Sequence, residues 1–169
     1  MLHPPDGVRT ASFFITSGLA DQSDSAAFTE AMIDQLAALA GEPVPPAISA
    51  TARDGLRRHL LTVAADHLRE RGERLVLVVD GLDEDSGNRP GSSRASIASL
   101  LPRQPPDGVR VLVTSREHPP VPADVAEEHP LRACRRRSLD VRPYVPGPHV
   151  PPARPFGRAD RQIRMRCVE

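Results

Sequence analysis

The run LVLVV at residues 75–79 is aliphatic at every position and lacks the period-two alternation of a strand with one wet face. Such a run reads as a strand buried on both faces, the condition of a central strand in a parallel sheet. GVRVLVTS at 108–115 reads the same way. VRTASFFIT at 8–16 supplies a third strand through Val8, Ala11, Phe13, Phe14 and Ile15. Parallel strands need crossovers of about a dozen residues or more, and both intervals here are long enough.

The first interval holds two helical patterns. SDSAAFTEAMIDQLAALAG places Phe28, Met32, Ile33, Leu36 and Leu39 at helical spacing, with a cap at Ser23 or Ser25 and Gly41 as a stop. After the rigid turn EPVPPAISA, TARDGLRRHLLTVAADHLRERG sets Leu56, Leu60, Val63, Ala64 and Leu68 on one side. Arg57, Arg58, Asp66, Arg69 and Glu70 are left for solvent, and Gly72 closes the helix. Gly55 is either a cost inside this helix or the mark of its true beginning. ASIASLLP predicts a short helix before the third strand, and Pro122 to Glu128 predicts one after it. The expected fold is α/β, a partial parallel three-layer sheet of three strands joined by right-handed crossover helices.

The 169 residues suffice for one domain with a real core. Residues 1–133 carry 13 Arg against 19 acids, net −6, whereas 134–169 carry 9 Arg against 3 acids, net +6. The division is accordingly read as a core over 1–133 and an Arg/Pro-rich disordered tail over 134–169, with six prolines between 143 and 155. That tail has no aromatic stacking platform, which argues against nucleic acid as a partner. Cys134 and Cys167 lie in no CxxC and near no histidine at ligand spacing, so neither a disulfide framework nor a cysteine-based metal site is expected. No apolar run reaches the roughly 20 residues that cross a bilayer, and MLHPPDG lacks the features of a signal peptide, so the expectation is a cytoplasmic chain without membrane contact.

The second strand ends in a cluster of acids, Asp80, Asp83, Glu84 and Asp85. In a parallel sheet the ligand crevice lies outside the carboxyl ends of the strands. Asp80 stands at such an end, as do Thr16-Ser17 and Thr114-Ser115-Arg116. An aspartate at that place can hold Mg²⁺ directly or through water. Asp83 or Glu84 can orient and deprotonate a water, and Thr114, Ser115 or Arg116 can sense a terminal phosphate. The same residues suit a plainer account, since strands often end in Asp where the chain turns and Arg116 fits a solvated face.

LVLVVDGLDED resembles the Walker B segment of STAND-class P-loop ATPases, particularly the NACHT group, and VRVLVTSRE resembles their sensor 1 strand. TASFFITSGLADQSDSAAFTEAMIDQLAALAG is similar to the strand and helix that follow their nucleotide-binding loop. The resemblance covers about residues 8–133. It implies an AAA+-like signal-transduction ATPase with ATP and Mg²⁺ as cofactors. Asp80 becomes the magnesium aspartate, Asp83 and Glu84 the water-positioning pair, and Arg116 the sensor. It further implies self-association or pairing with other NACHT or STAND proteins. Yet the sequence contains no GxxxxGK[ST] and no lysine at all. The expectation is therefore a fragment of an ATP-binding and ATP-hydrolysing switch, without independent catalysis or secure ATP binding. The alternative is a non-enzymatic interaction module that pairs with a full-length ATPase through an open sheet edge, expected beside the 109–115 strand.

Overall fold

A computed structural model describes residues 4–18, 22–88, 92–116, 121–133, 136–140 and 162–168, the last two stretches by backbone alone. Val8–Phe14 forms β1, Ser25–Ala40 α1, Ala50–Glu70 α2 and Arg74–Asp80 β2. Ile97–Leu100 forms α3, Val109–Ser115 β3, Pro130–Ala133 α4, Arg136–Asp140 β4 and Gln162–Val168 β5. The sheet runs in the order β1-β2-β3-β5-β4, with β1, β2 and β3 parallel. This three-stranded parallel sheet with its crossover helices is a generic Rossmann-like α/β architecture.

The register explains where the core lies. Ala11 stands opposite Leu77, Phe13 opposite Val79, Leu77 opposite Val111 and Val79 opposite Val113. All of these are buried, and because alternate residues share a face, they make one continuous apolar surface. Phe28, Met32, Ile33 and Leu36 of α1 and Leu60, Leu61 and Ala64 of α2 join the same core, as do Ile97 and Ala98 of α3. On the other face Thr10, Ser12, Val76, Val78 and Leu112 are only half-buried. The expected three layers are thus two among the described residues. The reason is topological: β1, β2 and β3 follow one another across the sheet, and successive crossovers of one hand land on one face.

The helix ends follow from local chemistry. Asp24, rather than Ser23 or Ser25, caps α1, its Oδ1 accepting from the Ala26 and Ala27 N–H groups at 3.1 and 2.9 Å. Gly41 ends α1 at φ 72°, as its position predicts. Ser49 caps α2, so Gly55 lies inside the helix and does not begin it. Arg57 corrects the solvent-facing expectation: only 4% exposed, it holds its guanidinium carbon 5.7 Å from the centre of the Phe28 ring and donates to Asp54 at 2.6 Å. Pro122 to Glu128 forms turns, with the helix displaced to Pro130–Ala133.

Two corrections concern the far end of the sheet. The 109–115 strand does not present an open edge, because β5 pairs with it antiparallel from Val111 opposite Val168 to Ser115 opposite Arg164. β4 then pairs antiparallel with β5. The disordered-tail expectation yields to strands over Arg136–Asp140 and Gln162–Val168, while its portion at 141–161, like Cys134, lies outside the described residues. No helix among the described residues is long and apolar enough to cross a membrane.

Candidate functional site at the carboxyl ends of the strands

The chain leaves β2 through Gly81, whose φ of 80° belongs to the left-handed region. A Cβ there would stand 3.0 Å from the Ile15 carbonyl oxygen, so glycine suits both the turn and the close approach of β1. The chain then enters a 3₁₀ turn at Leu82–Glu84, which aims Asp83 and Glu84 toward the end of β3. Phe14, Thr16, Asp80, Asp83, Glu84 and Arg116 line a cavity of about 330 Å³ at this end of the sheet, with Thr114 and Ser115 in its wall. Asp80, Asp83, Glu84, Thr114, Ser115 and Arg116, which the sequence places at strand ends, thus come together around one cavity.

Each acid of the cluster has its own donor. The Thr114 hydroxyl donates to Asp80 Oδ1 and accepts from the Gly81 N–H at 3.1 Å. Asp83 Oδ1 accepts from the Arg116 backbone N–H at 2.9 Å, and its Oδ2 accepts from Arg116 Nε at 2.5 Å. Glu84 takes Arg116 Nη2 on one oxygen at 3.3 Å and the Ser17 N–H on the other at 3.0 Å. The hydrogen bond and charge of Asp83, with Glu84 behind it, raise the Arg116 pKa still further above its ordinary range. Arg116 is thus a bridge between the β2 and β3 ends, anchored by two carboxylates.

Asp85 turns the other way. It is 1% exposed, and its two oxygens accept from the Gly87 N–H at 2.9 Å and the Ile97 N–H at 2.7 Å. It ties the loop after β2 to the start of α3. Burial pushes its carboxyl above the usual carboxylate range despite those two donors. Asp124 ties the same helix start to the chain after β3, accepting from Ser96 N–H and Oγ at 2.7 Å each. Its own desolvation works against ionisation, but the bonds from Ser96 and Ser99 outweigh it and hold the carboxyl below its ordinary range.

Sequence reasoning did not single out Asp124 or Gln35, and it gave Asp85 and Phe14 no role beyond the acidic cluster and the first strand. Phe14 is apolar yet 49% exposed at the cavity mouth, where it ends β1. Only the sheet order and the packing of α1 reveal what these residues do.

The arrangement can hold the strand ends together, each carboxylate being engaged by a donor of the chain. Mg²⁺ takes oxygen ligands, usually one or two carboxylates completed by waters. Here the carboxylates of Asp83 and Glu84 are turned to Arg116 and Ser17, and Asp80 to Thr114. Among the described residues no three His, Cys, Asp or Glu side chains come together as a metal site. The sequence also lacks the glycine-rich loop and lysine that would cradle ATP phosphates.

The Nephrocystin 3, N-terminal family matches residues 2–116. No curated protein and no solved structure matches the chain. The family match overturns the resemblance to NACHT-type STAND P-loop ATPases, because the segments likened to Walker B and to sensor 1 up to Arg116 lie inside the matched stretch. The reading as a fragment of an ATP-hydrolysing signalling switch, with its AAA+-like and Walker B vocabulary, is withdrawn with it. Since the match takes in well over half of its 169 residues, the chain belongs to the Nephrocystin 3, N-terminal family.

Proposed function

We propose that the chain is a non-enzymatic protein-interaction module that binds a partner by backbone pairing at a free edge of its sheet. The observation that carries this reading is the addition of β5 to β3. A parallel core accepts an antiparallel strand there, and among the described residues β4 is the last strand of the extended sheet. An edge strand presents a row of N–H and C=O groups to any extended segment that can meet them. The cavity at the carboxyl ends supports the same reading, because its charges are spent on joining β2 to β3.

Binding of short extended peptides to the full chain, followed by fluorescence anisotropy, tests the proposal. Saturable binding that disappears when the peptide's pairing amides are N-methylated is the expected result. Binding indifferent to N-methylation, or none from a broad panel, counts against it. A second expectation concerns the implied cofactors: titration with a labelled ATP analogue, with and without Mg²⁺, should show no saturable binding to the folded chain. Magnesium-dependent binding lost in Asp80→Ala would contradict the account of the acidic cluster given above.

A further inference from the structure

The sheet has two outer strands, β1 and β4, and they differ in how their outward groups are treated. The Ile15 N–H bonds the Asp80 carbonyl just past the end of β2 at 2.9 Å, which sets the alternation along β1. Phe13 and Ala11 turn their backbone groups toward β2, while Ser12 turns outward. Gln35 of α1 then meets Ser12 with both ends of its amide. Its Oε1 accepts from the Ser12 N–H at 2.8 Å, and its Nε2 donates to the Ser12 carbonyl at 2.9 Å. One side chain thereby supplies the acceptor and the donor that a neighbouring strand would bring. The middle of the β1 edge is closed from within the chain, whereas among the described residues no strand pairs with the outer side of β4.

β4 reads Arg136-Arg137-Ser138-Leu139-Asp140. We propose that its partner is a second copy of this chain, its β4 laid antiparallel about a twofold axis at Ser138. This assignment rests on the edge-pairing reading above and names the occupant of that edge. Twofold pairing at Ser138 sets Arg136 opposite the partner's Asp140 at both ends of the strand, and Arg137 opposite the partner's Leu139. An axis one residue earlier would set Arg137 against itself, and one residue later would move Arg136 outside the five-residue overlap. Opposite charges directly across an antiparallel pair stabilise it, and like charges destabilise it. Within the chain the register sets Arg136 opposite Arg166 of β5. The resulting dimer has one continuous sheet and a closed, isologous interface, as symmetric dimers require.

The charges make the test self-checking. Sedimentation equilibrium of the full chain should show a dimer that weakens with added salt, since exposed pairs are screened. Arg136→Asp alone and Asp140→Arg alone should each weaken dimerisation about tenfold or more, because each turns two attractive pairs into repulsive ones. An equimolar mixture of the two variants should recover a heterodimer, and the doubly substituted chain should recover a homodimer. Circular dichroism of the doubly substituted chain shows whether either change harms folding. A dimer indifferent to these exchanges, or singles that stay monomeric when mixed, would overturn the assignment to β4. A wild-type chain that remains monomeric would overturn the second-copy proposal, while the peptide experiment would separately decide whether the edge pairs with another protein.

Discussion

Replacing Asp85 by alanine is expected to lower the unfolding free energy by about 3 kcal/mol, measured by urea denaturation. The substitution removes an acceptor that is 1% exposed and leaves the Gly87 and Ile97 N–H groups without it. The loop from Ser86 to Ser96 then loses its tie to α3. Gly87 makes relaxation difficult, because its backbone already lies so close to Ala95 that a Cβ would fall 2.6 Å from the Ala95 carbonyl oxygen. Asp83→Ala offers the contrast: its ion-pair partner Arg116 is 54% exposed in its side chain, and an exposed pair contributes less than about 1 kcal/mol.

The Asp85 deficit should also depend on pH with a defined sign. Burial raises the Asp85 pKa in the folded chain above its unfolded value. Such a group contributes stability that is fully present below the unfolded pKa and is lost as pH rises through the folded one. The difference between wild type and Asp85→Ala should therefore widen as pH falls from neutral through the raised value. Asp124 carries the opposite sign, since its lowered pKa gives stability that is lost as pH falls through the folded value.

The second large effect is expected at Phe28. Phe28→Ala should destabilise the chain by about 4 kcal/mol, read from the same denaturation curves. The ring is 1% exposed and packs edge-on against Phe13, with centroids 5.5 Å apart and planes at 85°. It also lies beneath the Arg57 guanidinium. Arg57 Nε is buried with no hydrogen-bond partner, so the ring face is one of the few favourable surfaces available to that cation. Phe28→Leu, which keeps most of the volume but not the aromatic face, should cost clearly less. The gap between the two variants measures how much is packing and how much is the contact with Arg57.

The parallel core was legible in the sequence because its signal is local. Leu75, Leu77 and Val79 are buried, as an unbroken aliphatic run implies, and Phe28, Met32 and Leu36 face them at the spacing a helix demands. The same run misled in one respect. Val76 and Val78 are only half-buried, so aliphatic content on the second face did not mean a helix covering it among the described residues. Arg57 was assigned to solvent from its charge, whereas its burial depends on the placement of Phe28 on another helix. β5 carried a readable signal, since Ile163, Met165 and Cys167 alternate with Arg164 and Arg166, but six prolines upstream obscured it.

The candidate site shows the same division. The sequence placed Asp80, Asp83, Glu84, Thr114, Ser115 and Arg116 at one end of the sheet, and the structure gathers them around one cavity. What sequence spacing does not convey is which oxygen meets which donor. Arg116 reads as free to meet a phosphate until the fold sets it between Asp83 and Glu84. Gln35 was invisible for a related reason: only the order of strands makes β1 an edge, and only then does a glutamine on α1 acquire an edge to close.

Residue-resolved amide hydrogen exchange on the full chain, at low and high protein concentration, tests the central claim of an open pairing edge at β4. The account predicts that the Ser12 amide, held by Gln35, exchanges slowly under both conditions. Outward amides within Arg136–Asp140 should exchange rapidly in dilute solution and slow as a second strand pairs with them. Slow exchange throughout β4 in the dilute monomer, or rapid exchange there in an associated state, would contradict it.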